Sequence, residues 1–201
     1  MSFNKKRYKI IKGAVSKELA KIAYNYLLIK RNAAAFMFEN KILPPFDVTH
    51  GTWYDGQVNG TYSVYGDPLM ETLLLYLKPL TKKHTKLNLY ETYAYARTYK
   101  PGDVLKRHVD RHSCEISTTL NLGGDAWPLY LINKKKIVKI DLKPGDMLIY
   151  RGCILEHWRE AFEGDSCTQV FLHYNNKATF GLENEFDTRD HLGLPAVYKI
   201  K

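Results

Sequence analysis

The apolar positions of this chain change their period near Leu87. Before that point they recur at helical spacing: Leu19, Ile22, Ala23, Tyr26 and Leu27 fall at i, i+3, i+4, i+7 and i+8, which sets one apolar stripe along a helix. Ser16 stands just ahead as an N-cap, so a helix is expected from about residue 16, behind an extended Tyr8-Lys9-Ile10-Ile11. A second helix is expected to start at Asp67-Pro68, a cap followed by proline in the first turn, and to run through Leu73, Leu74 and Leu77 to Lys78-Pro79. From Leu87 the period is two. Glu91, Tyr93, Tyr95, Arg97 and Tyr99 alternate with Thr92, Ala94, Ala96 and Thr98, and the stretch from Glu115 to Leu122 alternates again. Short strands with no helices between them predict an antiparallel barrel or sandwich, with the two helices bracing a sheet.

Between the helices, residues 49–66 are rich in glycine and aromatics. An irregular stretch of that length is a surface loop or a lid over a site, and Trp53-Tyr54 favour the lid. No internal repeat or low-complexity tract interrupts the chain. At 201 residues, 45% hydrophobic and 25% charged, it suits one globular fold with a substantial core. No apolar run follows Met1-Ser2-Phe3-Asn4-Lys5-Lys6-Arg7, and none approaches membrane-spanning length, so a cytoplasmic location without membrane contact is expected. Cys114, Cys153 and Cys167 are odd in number and widely spaced, as reduced thiols are. A net charge of +9 raises nucleic acid as a partner. The lysines, however, fall in short groups such as Lys82-Lys83 and Lys134-Lys135-Lys136, each suited to a solvated turn or end.

Candidate chemistry sits in the β half. In His108-Val109-Asp110 the outer two residues share one side of an extended segment, so both can reach one ion. A third ligand must come from another strand. His157 qualifies, because Pro144-Gly145-Asp146 reads as a turn feeding the apolar strand Met147-Leu148-Ile149-Tyr150 ahead of it. Two imidazoles and a carboxylate on one face of an octahedral ion, with the opposite face open, are the ligand set of a non-haem Fe(II) oxygenase.

The order of these motifs is more specific than any one of them. Tyr99-Lys-Pro-Gly-Asp-Val-Leu-Lys-Arg-His108-Val-Asp110, Ile116-Ser-Thr-Thr-Leu-Asn-Leu-Gly-Gly124, Leu142-Lys-Pro-Gly-Asp-Met-Leu-Ile-Tyr150 and His157 together resemble the 2-oxoglutarate/Fe(II) dioxygenase superfamily, nearest its prolyl-hydroxylase-like branch, over residues 87–176. The resemblance implies a mainly β fold with flanking helices (α+β), a double-stranded β-helix or jelly roll with an N-terminal helical layer. One domain would then fill residues 1–201, with helical support over about 12–80, a jelly-roll core over about 86–176 and a C-terminal extension at 177–201. The resemblance also implies Fe(II) held by His108, Asp110 and His157, with 2-oxoglutarate and O2 as reactants, succinate and CO2 as co-products, and ascorbate as a candidate reductant.

One position departs from the family. A lysine or arginine about nine or ten residues beyond the distal histidine would hold the far carboxylate of 2-oxoglutarate, but Ser166-Cys167-Thr168-Gln169 stands there. A dicarboxylate in a half-buried pocket needs a cation. Arg159 is the first candidate, two residues from His157 on the same side; Arg97 is the second, on the face shared by Tyr95 and Tyr99. Surface pairing of Arg159 with Glu156 or Glu163, and of Arg97 with Glu91 or Glu115, is the plain alternative. Ser117, Thr119, Gln169 and His173 offer further hydrogen bonds, and Glu115 or Asn121 are candidates to orient the histidines. His112 reads as a loop residue, and His50, His84 and His191 have no spacing toward the metal. The expected activity is hydroxylation of a C–H bond in a protein side chain or small molecule. A nucleic-acid demethylase would use the same chemistry, and a non-catalytic jelly-roll binding module is the rival of a different class.

Overall fold

The computed structural model describes residues 3–199. Its described strands form two antiparallel sheets. They are β1 (Tyr8–Ile11), β2 (Tyr62–Tyr65), β3 (Leu89–Tyr99), β4 (Leu105–His108), β5 (Ile116–Gly124), β6 (Leu129–Asn133), β7 (Lys136–Ile140), β8 (Met147–Arg151), β9 (His157–Arg159) and β10 (Cys167–Asn176). The larger sheet runs β1-β8-β5-β10-β3-β2 and the smaller β4-β9-β6-β7, the alternation expected of a jelly roll. Four α-helices accompany them: α1 (Phe3–Lys6), α2 (Lys17–Glu39), α3 (Pro68–Thr85) and α4 (Lys177–Phe180).

Period two explains the layering. Ala94, Ala96, Leu120, Leu122, Met147, Ile149, Val170 and Leu172 point outward from the larger sheet and pack with Ala20, Ala23 and Leu27 of α2 and with Met70, Leu73, Leu74 and Leu77 of α3. The intervening positions face the smaller sheet, where Leu148 and Tyr150 meet Leu129, Leu131 and Ile140. Central strands covered on both sides are almost entirely buried, so the polar members of the inner set mark the site rather than the surface.

Both helix starts match the caps. Ser16 accepts from the Leu19 N–H, and Asp67 accepts from those of Leu69 and Met70. Asp67 also accepts from Tyr26 and Lys30 at 2.7 and 2.6 Å, which joins α2 to α3. Three expectations need correction. The buried stripe of α2 is Ala20, Ala23 and Leu27, while Ile22 is exposed, because the small alanines let the helix lie close to the sheet. Next, α3 passes through Pro79 and ends at Thr85. The carbonyl that the proline leaves without its usual donor belongs to Leu75, an exposed residue, and Thr81 and Thr85 hydroxyls bond back into the last turns. Finally, residues 49–66 are not all irregular, since Tyr62-Ser63-Val64-Tyr65 pairs with the edge of β3.

The lysine groups occupy element ends. Lys82 and Lys83 lie in the last turn of α3, and Lys134 and Lys135, both at positive φ, make the two-residue turn between β6 and β7. The C-terminal segment folds back onto β2 and α3. Arg189 pairs with Glu71 at 2.6 Å, the side chains 0% and 2% exposed. Asp187 takes both guanidinium nitrogens of Arg111 and the Tyr65 hydroxyl. Phe186, Asp187 and Thr188 all hold positive φ, a strained run that these contacts must offset. Among the described residues no helix is long and apolar enough to cross a membrane.

Candidate metal centre

β4 and β9 are neighbours in the smaller sheet, with His108 directly opposite His157. Asp110 lies just past the end of β4, where its N–H donates to the Gly152 carbonyl at 3.0 Å. The three side chains meet. Asp110 Oδ1 is 3.6 Å from His108 Nε2 and 3.5 Å from His157 Nε2. Neighbouring donors on an octahedral ion with bonds of about 2.1 Å sit roughly 3 Å apart, so a small closing movement suffices.

The surroundings set the donor atoms. His108 Nδ1 lies 2.7 Å from the Lys106 carbonyl and His157 Nδ1 lies 2.9 Å from that of Leu155. A carbonyl can only accept, so each Nδ1 carries the proton and each Nε2 presents its lone pair to the centre. Ser117 donates to Asp110 Oδ2 at 2.6 Å, which leaves Oδ1 for the metal. This packing requires Gly152: a Cβ there would come within 2.2 Å of Asp110 Oδ2 and 2.4 Å of Ser117 Oγ. Burial raises the Asp110 carboxyl, but the imidazoles of His108 and His157 beside it outweigh burial and hold the group well below the ordinary carboxylate range. Glu115 and Asn121 do not orient the histidines. Glu115 binds Arg151 and the Asn176 N–H, and Asn121 donates to the Leu142 carbonyl; backbone carbonyls and Ser117 do that work instead.

A cavity of about 450 Å³ opens onto the triad. Of the residues expected at the cosubstrate, Tyr95, Arg97 and Thr119 line it, with Tyr93, Phe171 and His173 beside them. Ser117, Tyr99, Gln169 and Arg159 are buried outside that lining. Arg159 pairs with neither Glu156 nor Glu163. Its Nη1 donates to the Trp127 carbonyl and its guanidinium lies 4.9 Å from the Trp127 ring, while its Nε has no partner. Tyr99, also packed on Trp127, has a hydroxyl buried without a partner. Thr119 donates to Gln169, which in turn reaches Cys167. Arg97 pairs with neither Glu91 nor Glu115. It holds Asp55 and Gln57, which line the cavity together with Gly56. No spacing in the sequence marks these loop residues, whereas Trp53 and Tyr54 stand out by composition. Trp53 instead packs on Phe38 and Tyr62, and Tyr54 is exposed. Tyr150, 3.2 Å from His157 Nε2, was also missed.

His173 packs at a tilt on Tyr93, ring centroids 4.6 Å apart, and lies 3.1 Å from Ser117 Oγ through Nδ1. Burial pushes its pKa down from 6.5 to about 4. Between those values the unfolded chain binds a proton that the folded one does not. The stability this group contributes is therefore complete above pH 6.5 and declines as pH falls toward 4. Denaturant melts of EDTA-treated protein should lose about 3 kcal/mol over that window, and His173→Gln should flatten this part of the profile. Identical slopes in the two proteins would assign the loss elsewhere.

No family model matches the chain, and no curated protein matches it. Solved structures do. A prolyl-4-hydroxylase from Pseudomonas putida is 12% identical with a TM-score of 0.67, over 87% of this chain and 95% of its own. A prolyl hydroxylase from Trichoplax adhaerens, in complex with a hypoxia inducible factor oxygen degradation domain peptide fragment, is 14% identical at 0.65, over 91% and 90%. HygX from Streptomyces hygroscopicus, with nickel, 2-oxoglutarate and hygromycin B bound, is 13% identical at 0.58, over 87% and 84%. At these identities the likeness is one of fold. The chain has the double-stranded β-helix fold of the prolyl-hydroxylase-like 2-oxoglutarate/Fe(II) oxygenases.

Proposed function

We propose that this protein is an Fe(II)- and 2-oxoglutarate-dependent oxygenase that hydroxylates a C–H bond of a protein side chain or small molecule, releasing succinate and CO2. The observation that carries the reading is the triad itself: two Nε2 lone pairs and one carboxylate oxygen converge on a single cavity, in a fold whose solved examples include a nickel and 2-oxoglutarate complex. Fe(II) at such a centre supplies oxidation by O2 coupled to decarboxylation of the 2-oxo acid.

The chain's own groups have separable tasks. His108, Asp110 and His157 hold the metal by three ligands, and Ser117 keeps Asp110 on one oxygen, so that further positions stay open. Arg159 and Tyr99 take the far carboxylate of 2-oxoglutarate, which gives the unpartnered Nε and hydroxyl the anion they lack. Thr119 and Gln169 add neutral hydrogen bonds beside them. Tyr93, Tyr95 and Phe171 wall the cavity and exclude water from the reacting groups. The substrate class rests on the cavity and on two similar structures, one bound to a peptide fragment and one to hygromycin B. The test is succinate release from 2-oxoglutarate by the Fe(II)-loaded protein under air. Release is expected, stronger with a true substrate, and lost in His157→Ala. A protein that takes up neither metal nor 2-oxoglutarate would be a binding module on this scaffold.

A further inference from the structure

The loop residue Asp55 enters the metal-bearing cavity as a carboxylate bound from several sides. Arg97 Nε and Nη2 each lie 2.6 Å from its Oδ2, and the Tyr95 hydroxyl donates to the same oxygen at 2.7 Å. The other oxygen accepts from the Gln57 N–H at 2.7 Å. Arg97 is 6% and Asp55 8% exposed, so neither charge is left to water. A guanidinium and a phenol hydroxyl converging on one carboxylate oxygen form a recognition arrangement for a carboxylate.

The two sides of this contact are not equally fixed. Arg97 and Tyr95 stand on β3, in the middle of the larger sheet. Asp55 stands on the tip of a loop closed at its base by the Gly60 N–H on the Trp53 carbonyl, and a Cβ added at the neighbouring Gly56 would point into open space. Val58 and Trp53 anchor the loop on either side of the tip. The tip can therefore withdraw while the receiving groups stay. Arg97 cannot then remain bare, because a buried guanidinium without an anion is costly. Only another anion can take Asp55's place.

We propose that Asp55 is an internal stand-in for a carboxylate of the prime substrate, which displaces it onto Arg97 and Tyr95 and is thereby held across the cavity from the triad. The substrate class is thus a small molecule or chain end bearing a carboxylate. This rests on the oxygenase reading, in which Arg159 and not Arg97 serves the cosubstrate.

The test uses acetate as probe, acetamide as its uncharged control, and protein loaded with Mn(II) and saturated with 2-oxoglutarate. With Asp55→Ala, acetate should bind at least roughly tenfold more tightly than to the wild type, since the internal competitor is gone. Mn(II) should then speed the relaxation of the acetate methyl protons. Acetamide should do neither, and the Asp55→Ala/Arg97→Gln double variant should lose both effects. Asp55→Asn, which keeps the shape without the charge, serves if the alanine variant is poorly folded. No gain with acetate over chloride in either variant, or an equal gain without Arg97, overturns the proposal. Acetate binding seen in the Mn(II) form without 2-oxoglutarate but absent from the saturated form gives the site to the cosubstrate and overturns the prime-substrate assignment. The oxygenase reading fails separately, if the Mn(II) form of the wild type gives no binding heat with 2-oxoglutarate.

Discussion

Mn(II) binding should fall by more than roughly a hundredfold in each of His108→Ala, Asp110→Ala and His157→Ala, a larger loss than the 10- to 100-fold typical of removing a partner behind a ligand. The three donors converge on a shared centre, and among the described residues no other His, Cys, Asp or Glu joins that group. His173, the nearest spare imidazole, has its Nδ1 engaged with Ser117. Cys114 is buried against Tyr93 with its thiol pushed up by burial, which makes it a poor ligand. Calorimetry with Mn(II) on each variant, with thermal melts to check folding, reads the result directly. Full affinity in His157→Ala would mean that the third ligand has been misassigned.

The second large effect concerns the two arginines. Arg159→Ala should weaken 2-oxoglutarate binding to the Mn(II) form by about 2–5 kcal/mol, the cost of leaving a desolvated charge unpaired, with metal affinity nearly unchanged. Lysine at that position should rescue only in part, because a point charge cannot reproduce the planar fork. Arg97→Ala should weaken 2-oxoglutarate less, since Asp55 and Gln57 already occupy its donors. The reverse order, normal affinity in Arg159→Ala and a large loss in Arg97→Ala, would move the anchor to β3. The variant also frees the Trp127 carbonyl, so its stability must be measured beside its affinity.

Sequence periodicity located most of the fold because its two layers impose different repeats. A helix covering a sheet must repeat near 3.6, and a strand between two layers must repeat at two, so Ala94 and Ala96 against Tyr93 and Tyr95 already separate outside from inside. The triad was legible for a related reason: His108 and Asp110 lie close in sequence, and the turn at Pro144-Gly145-Asp146 set the strand leading to His157. What stayed hidden was decided by contacts between distant positions. Pro79 reads as a helix end until the exposed face at Leu75 is known. Asp55 lies 42 positions from Arg97, and nothing in its neighbours' spacing announces that meeting. Arg159 was placed on the correct strand, but its contact with Trp127 depends on how the loop before β6 packs.

The Glu71–Arg189 pair has a consequence for how the chain is made. The two residues are 118 positions apart, and neither is exposed once they meet. During synthesis α3 and β3 emerge well before Arg189, with a carboxylate on the sheet-facing side of α3 that has no cation to receive it. Burying Glu71 at that stage would require it to take up a proton or keep water with it. Close docking of α3 onto the sheet with Glu71 as a carboxylate therefore waits for Arg189, and until that pair forms the apolar face carrying Leu73, Leu74 and Leu77 lacks a settled partner.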